Sequence, residues 1–404
     1  MIYSEKEVIQ YVQEEDVKFI RLAFCDVFGK QKNISIMPGE LHRAFEYGIA
    51  VDASAIKGFG DETHSDLLLH PDPGTLMPLP WRPEHGRVIL MFCAISYPDG
   101  RTFECDSRSI LKRAVQDAEK KGFHFFFGAE QEFYLFKLDL NGNPTKEPYD
   151  NACYMDIAPE DKGENIRREI CLTLEQMGIR PESSHHEEGP GQNEIDFRYS
   201  NPLTAADHAV IFQTVVKTIA YHNGLYADFS PKPLKNKPGN GFHINMSVKS
   251  ADHTDNMDFM IAGILAKITD MTLFLNPAES SYQRFGNNKA PEYISWSTEN
   301  RSQLIRVPAA LGEYRRAELR SADPSANSYL AFALMIHASL YGIQKRLPLP
   351  KPADINFYTA DADILADFEP LPKDFKSACV LANGSDFIRE HIPDAILKIY
   401  CNSR

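Results

Sequence analysis

The chain has 404 residues, 43% hydrophobic and 25% charged, a composition that suits a soluble globular protein of two or three domains and excludes a disordered or fibrous one. A formal net charge of -13 argues against nucleic acid or an anionic membrane as partner, but leaves room for a local basic pocket that takes an anionic small molecule. Seven cysteines without a CxxC pair, an N-terminus lacking an apolar stretch flanked by basic residues, and no apolar run long enough for a membrane span point to a reducing cytoplasm.

Along the chain, the pattern changes near residue 100. Before it lie strand-like runs, KFIRLAFCDVFG and RVILMFCAISYP, between loops rich in Asp, Gly and Pro, with the five prolines from Pro71 to Pro83 read as loop. Beyond it, DSRSILKRAVQDAEKKG predicts a helix with Asp106 as cap and Gly122 as stop. Further helices are predicted at NIRREICLTLEQMG, AADHAVIFQTVVKTIAYHNG, MDFMIAGILAKITDMTLFL and SANSYLAFALMIHASLYGI. Short strands separate them.

Those strands carry the chemistry, because side chains at i and i+2 share one face. GAEQEFYLF aligns Glu130 with Glu132, and GQNEIDFRYS aligns Glu194, Asp196 and Arg198. GFHINMSV aligns His243, Asn245 and Ser247, and RRAELRSADP aligns Glu318 and Arg320. Glu187 lies just before a Gly-Pro-Gly turn. Any one such pattern is more often a solvated face or a structural histidine; their joint occurrence in one chain is what calls for a function. Five carboxylates and a histidine crowded on one sheet repel unless a cation sits among them. Hard oxygen donors with a single imidazole suit Mg²⁺ or Mn²⁺, with ligands enough for two ions. Arg301, Arg306, Arg315, Arg316 and Arg320 supply forks for carboxylate or phosphate, and cations beside arginines are the apparatus of phosphoryl transfer.

At this point VDASAIKGF, HSDLLLHPD, GAEQEFYLF, SHHEEGPGQNEIDFRY, GNGFHINMS, NPAESSYQRF, KAPEYISWSTENRSQLIRVPA and RRAELRSADPSANSYLAFALM, in this order, resemble the type I glutamine synthetases from about residue 15 to about 398. The resemblance implies an α+β chain: a small β-grasp domain over residues 1–102, and over 103–404 a catalytic domain with a curved antiparallel sheet flanked by helices. It implies ATP-dependent joining of ammonium to glutamate through γ-glutamyl phosphate, in a homo-oligomer of hexameric rings, stacked as a dodecamer, with no nucleic acid or membrane partner. Carried over by position, Glu132, Glu187 and Glu194 hold one Mg²⁺ or Mn²⁺, and Glu130, His243 and Glu318 hold the ion on the ATP phosphates. Arg306 and Arg320 face the transferring phosphate; Arg284, Arg301 and Gly239 hold glutamate; Asn245 and Ser247 lie by the nucleotide. Asp52, from a neighbouring subunit, and Tyr154 form the ammonium pocket, Glu187 helps deprotonate its occupant, and His185 and His186 give support from behind.

Four positions depart from the family pattern. Lys289 stands where a flap glutamate is expected, with Glu292 three residues on as a possible substitute; Ala55 replaces a serine; Asn245 replaces a common histidine; and Tyr358 falls near a tyrosine that some relatives modify, in poorly matching surroundings. The chain also stops at AILKIYCNSR, short of the family's usual tail, which leaves ring stacking open. Lys289 keeps two alternatives in view: ligation of glutamate to another primary amine, and a ring-forming homologue of low turnover with a regulatory role.

Overall fold

The computed structural model describes residues 3–402 except positions 62, 83, 84, 288 and 311; Pro83, the end of the predicted proline-rich loop, therefore lies outside the described residues. The N-terminal part opens with α1 (Glu5–Glu14), where Ser4 and Glu7 form a reciprocal cap. There follow β1 (Val17–Cys25), β2 (Gln31–Ile36), α2 (Leu41–Tyr47), β3 (Ile49–Asp52), β4 (Asp66–Pro71), β5 (Met77–Pro78) and β6 (Arg87–Ser96). They make a six-stranded sheet in the order β2-β1-β6-β4-β3, with β5 on β6 and a parallel β1–β6 pair at its centre. The proline-rich stretch is loop apart from Pro71, which ends β4, a 3-10 turn at Pro73–Thr75 and the two-residue β5, where Met77 pairs with Leu90.

The rest comprises α3 (Ser107–Lys120), β7 (Phe123–Leu138), β8 (Pro144–Pro148), α4 (Glu164–Gln176), β9 (Pro181–His186), β10 (Gln192–Phe197), α5 (Pro202–His222), β11 (Leu225–Asp228), β12 (Phe242–Ser250) and α6 (Met257–Leu275). Then come β13 (Trp296–Thr298), β14 (Ile305–Val307), β15 (Ala317–Leu319), α7 (Ser328–Lys345), α8 (Ala362–Leu365), α9 (Phe375–Gly384), α10 (Asp386–His391) and α11 (Asp394–Asn402). All five predicted helices are present. Asp106 accepts a hydrogen bond from the Arg108 amide at the start of α3, and Gly122, at φ +82°, stops it.

The second sheet is curved and runs β13-β14-β15-β12-β7-β10-β9, with β8 and β11 also on β7; it is antiparallel except for β13–β14. The long strand β7 explains its two faces. Phe127, Ala129, Phe133 and Leu135 are buried towards the helices, with Phe127 stacked on Phe332 at 4.3 Å. Gln131 is the polar exception on that side, satisfied by the Ala209 carbonyl and Gln213 of α5. The alternate positions, Glu130 and Glu132, must face the other way. Behind the sheet α6 and α7 cross without clearance: a Cβ at Gly263 would stand 2.1 Å from the Ala338 carbonyl, and one at Gly342 2.1 Å from that of Phe259.

The two sheets are joined by a buried polar knot and by α11. Arg108 reaches Asp72 at 3.0 Å and Asp207 at 2.9 Å, and Tyr329 donates to Asp207 at 2.7 Å. Asn327 and Tyr400 each donate to the Val27 carbonyl at 3.0 Å.

Candidate active site

A cleft of about 460 Å³ opens on the concave face of the second sheet. Register explains why the acids meet there. In the ladder Glu130 sits between Asp196 of β10 and His243 of β12, while Glu132 is opposite Glu194. Glu318 sits between Asn245 of β12 and Arg306 of β14. Five adjacent strands thus deliver the predicted cluster.

The atoms are close. His243 Nδ1 lies 3.3 Å from Glu130 and 3.7 Å from Glu318, and its Nε2 lies 4.0 Å from Glu132. Asn245 donates to Glu130 at 2.7 Å. Glu132 is oriented by the Gly241 amide at 2.8 Å and Gln192 at 3.0 Å. On the far wall His185 lies 2.9 Å from Glu187 and 3.8 Å from Glu194. Donor atoms of Glu130, Glu194 and His243 lie within 4.8 Å of one another, as do those of His185, Glu187 and Glu194. Glu318 instead rests against guanidinium groups, Arg306 at 2.7 Å and Arg320 closer still.

Electrostatics divides the acids. Burial, with Glu187 alongside, raises Glu132. Burial and then four neighbouring carboxylates push Glu194 well above the usual range. Burial and Glu130 push Asp196 up to about 7. At Glu187 burial is outweighed by the hydrogen bond and charge of His185, so it is held below its ordinary value. At Glu318 burial is outweighed by Arg320, His243 and Arg306, which hold it at about 2. An acid face that burial and repulsion drive towards protonation has room for positive charge, and its donor set of carboxylates and imidazole fits a hard divalent cation. The arginines fit an anion: Arg306 Nε and Arg320 Nε are buried without an acceptor, an arrangement costly unless a ligand accepts from them.

Other predicted residues fall around this centre. Arg301 and Gly239 line the cleft, Tyr154 stands at its mouth, and Asn245 and Ser247 line a small adjoining cavity. Arg284 lines the cleft too, but its guanidinium serves the Ser321 and Ala322 carbonyls, each at 3.1 Å. Its stem holds the Gly239 loop so closely that a Cβ there would be 2.7 Å from Arg284 Cγ. His186, buried, bridges Asp150 at 2.9 Å and the Glu187 carbonyl at 2.6 Å, supporting the strand end that carries Glu187. Asp52 lies apart, exposed at the end of β3 with Ser54 as its partner, and Ala55 is exposed nearby.

Three expectations need correction. Arg198 does not join Glu194 in the cleft: β10 ends at Phe197, and Arg198, just beyond it, is exposed, over the Tyr199 ring. Arg315 is turned to an ion pair with Asp255, whereas Arg316 stays in the cleft and donates to Asn245 at 2.7 Å. Glu292 is no substitute for the flap acid, since its carboxylate lies under Gly286, 2.4 Å from where a Cβ would stand. Lys289 itself reaches the cleft, at φ +64°: Nζ pairs with Glu188 at 2.5 Å and sits 4.8 Å over the Tyr154 ring. Asn288 beside it lies outside the described residues. Tyr358 turns its hydroxyl inward, buried and raised to about 12 by desolvation despite Arg320 and Arg284, which removes it from solvent. The sequence reading passed over Glu188, Gln192 and Ser183; Glu188 alone had a local signal, its place in SHHEEGPG.

Comparison with known proteins agrees with this geometry. The family described as glutamine synthetase, beta-Grasp domain, matches residues 16–98, and that described as glutamine synthetase, catalytic domain, matches 104–404. A glutamine synthetase of Methanosarcina mazei is 42% identical, over 98% of this chain and 92% of its own length. One of Staphylococcus aureus is 38% identical, over 100% and 94%. A solved GmaS/ADP complex superposes with a TM-score of 0.87 at 25% identity, over 97% of this chain and 93% of its own. With both domains matched and full-length relatives well above 30% identity, the chain belongs to the glutamine synthetase family.

Proposed function

We propose that this chain is a glutamate–ammonia ligase, using ATP to make glutamine, ADP and phosphate. The observation that carries the reading is the meeting in one cleft of the carboxylate–histidine cluster with Arg306 and Arg320, whose buried Nε donors await an acceptor. Glu132, Glu187 and Glu194 are the proposed ligands of one divalent cation, Mg²⁺ or Mn²⁺, and Glu130, His243 and Glu318 those of another. Bound there, the cations would screen the nucleotide phosphates and let the acids stay ionised together.

The protein groups then have separable tasks. Arg301 meets a glutamate carboxylate at the rim, with Arg284 fixing the Gly239 loop beneath it. The γ-carboxylate attacks the terminal phosphoryl group in line, giving γ-glutamyl phosphate and ADP. Arg306 and Arg320 neutralise the oxygens of the moving group, where a rigid fork matches their geometry. Asn245 and Ser247 lie towards the rest of the nucleotide. Glu187, kept ionised by His185, attracts ammonium and takes its proton, so that ammonia displaces phosphate. Tyr154 walls that side, and Asp52, remote from the cleft of its own chain, would enter from a second copy in a hexameric ring. The break between β6 and α3 supports a boundary between residues 102 and 103.

The test follows phosphate release with ATP and glutamate against a panel of amines, with Mg²⁺ or Mn²⁺. Ammonium as the best acceptor, with glutamine as product, is expected. A primary alkylamine as the best acceptor would replace this reading with a ligase for that amine. No metal-dependent turnover with any acceptor would leave only a non-enzymatic role.

A further inference from the structure

Cys379 on α9 and Cys401 on α11 form a thiol pair. The Cys401 thiol is directed at the Cys379 main chain, its Sγ 4.0 Å from the Cys379 carbonyl. Asn383 ties the two together, donating to the Cys379 carbonyl at 3.0 Å and to Cys401 Sγ at 3.1 Å. Arg389 in turn donates to the Asn383 carbonyl at 2.6 Å. Cys401 is half-buried and open to reagents, while Cys379 is buried behind it. Cys25, Cys93 and Cys105 are buried elsewhere, and desolvation pushes their thiols up as it does that of Cys379.

The position of the pair gives it consequence. The residue before Cys401 is Tyr400, whose ring packs 5.1 Å from Phe28 and 4.8 Å from Phe274 and whose hydroxyl donates to Val27. Ile399 comes so near Gly58 that a Cβ there would be 2.6 Å from its methyl group. The last turn of α11 is thus a clasp that reaches both α6 and the N-terminal sheet region.

We propose that Cys379 and Cys401 are a modification site, oxidised by a low-molecular-weight disulfide to an intramolecular disulfide that staples α11 to α9 and stiffens the junction of the two sheets. In the first step the Cys401 thiolate attacks the reagent, forming a mixed disulfide and releasing one thiol. Cys379 then gives up its proton, and its sulfur displaces the second thiol from Cys401. Two protein thiols are oxidised, one reagent disulfide is reduced to two thiols, and the balance closes.

The test exposes the intact protein to oxidised glutathione, quenches with an alkylating agent and maps the peptides. Two of the seven thiols should vanish from the alkylation count as a Cys379–Cys401 link that dithiothreitol reverses. Amide exchange in the last turn of α11 should slow by more than about tenfold, because closing this loop constrains opening. With Cys379→Ser, Cys401 should stop at the mixed disulfide; with Cys401→Ser, Cys379 should stay reduced. A mixed disulfide that persists in the unaltered protein, a link through Cys153 or Cys171 instead, or a link without slower exchange would each overturn the proposal.

Discussion

Arg306 and Arg320 share one carboxylate, Glu318, and so are held in place before any ligand arrives. A guanidinium gives Glu318 one nitrogen and keeps others for an anion; an ammonium cannot do both with fixed geometry. Arg306→Lys should therefore leave the fold and the glutamate KM within about twofold and lower kcat by about 10- to 100-fold, the pattern of an interaction made chiefly in the transition state. A rise in KM at unchanged kcat would move Arg306 from the phosphoryl group to substrate holding. Lys289 asks the opposite question. Its left-handed backbone costs about 1 kcal/mol, offset by the Glu188 ion pair and the Tyr154 ring. Under the proposed mechanism, the arrangement sets a cation beside the path of the incoming ammonium. Lys289→Glu should raise glutamine formation at limiting ammonium by about tenfold or more, removing repulsion and adding a proton acceptor; steady-state assays with the ATP KM as internal control decide it, and an unchanged rate would mean the flap acid has no function here. At this scale the sequence made the acid cluster legible, because alternation alone places Glu130 and Glu132 on one face. It misled at Arg198, which lies just past the end of β10, where alternation no longer applies, and at Glu292, whose direction depends on a turn that no period encodes.

The elements were legible in proportion to their length and punctuation. The five long helices carry caps or stops that local chemistry dictates, as Asp106 and Gly122 do for α3. The C-terminal helices went unread, since α8, α9, α10 and α11 are short pieces: α9 and α10 bury their hydrophobic faces against α6 and α11 packs on α9, while Pro393 interrupts their run. One contact among them titrates. His337 of α7 stacks on His391 of α10 at 3.7 Å and 3°, with Phe387 edge-on to His391. Burial and the His391 charge push His337 down to about 3, and burial lowers His391 as well; Asp117 and Glu390 favour charge and Lys121 opposes it. A histidine with a depressed folded value contributes stability that is complete above its unfolded value near 6.5 and is lost as pH falls towards 3. Between pH 7 and 5 the amides of α10 should lose protection before those of α7, and His391→Phe should blunt that loss. Equal protection at both pH values would show that the stacked pair tolerates a proton.

For the whole molecule, the two sheets hold together through neutral and paired contacts, whereas the cleft holds unbalanced charge. Metal-free protein carries Glu132, Glu194 and Asp196 with raised values, Asp196 at about 7. For an acid raised in the folded state the sign is fixed. Stability is complete below the unfolded value, near 3.8 for Asp196, and is lost as pH rises through about 7, because the folded chain must then ionise where burial and Glu130 resist it. Ionising Asp196 alone would cost up to about 4 kcal/mol. A divalent cation reverses this by paying the repulsion with its own charge and releasing the protons. The stabilisation given by Mg²⁺ or Mn²⁺, measured as the difference in Tm with and without chelator, should therefore grow steadily from pH 5 to 8, although the His337 contribution moves both forms in the opposite sense. Taking the difference cancels every group outside the cleft, so its slope reports the proposed ligands and their neighbours in the cleft. A difference independent of pH would mean that no protons leave on binding and that the acids are already ionised in the empty cleft. A growing difference abolished by Glu194→Gln, with the chelated form made more stable at pH 8, would tie the effect to the carboxylates that β7 and β10 bring face to face.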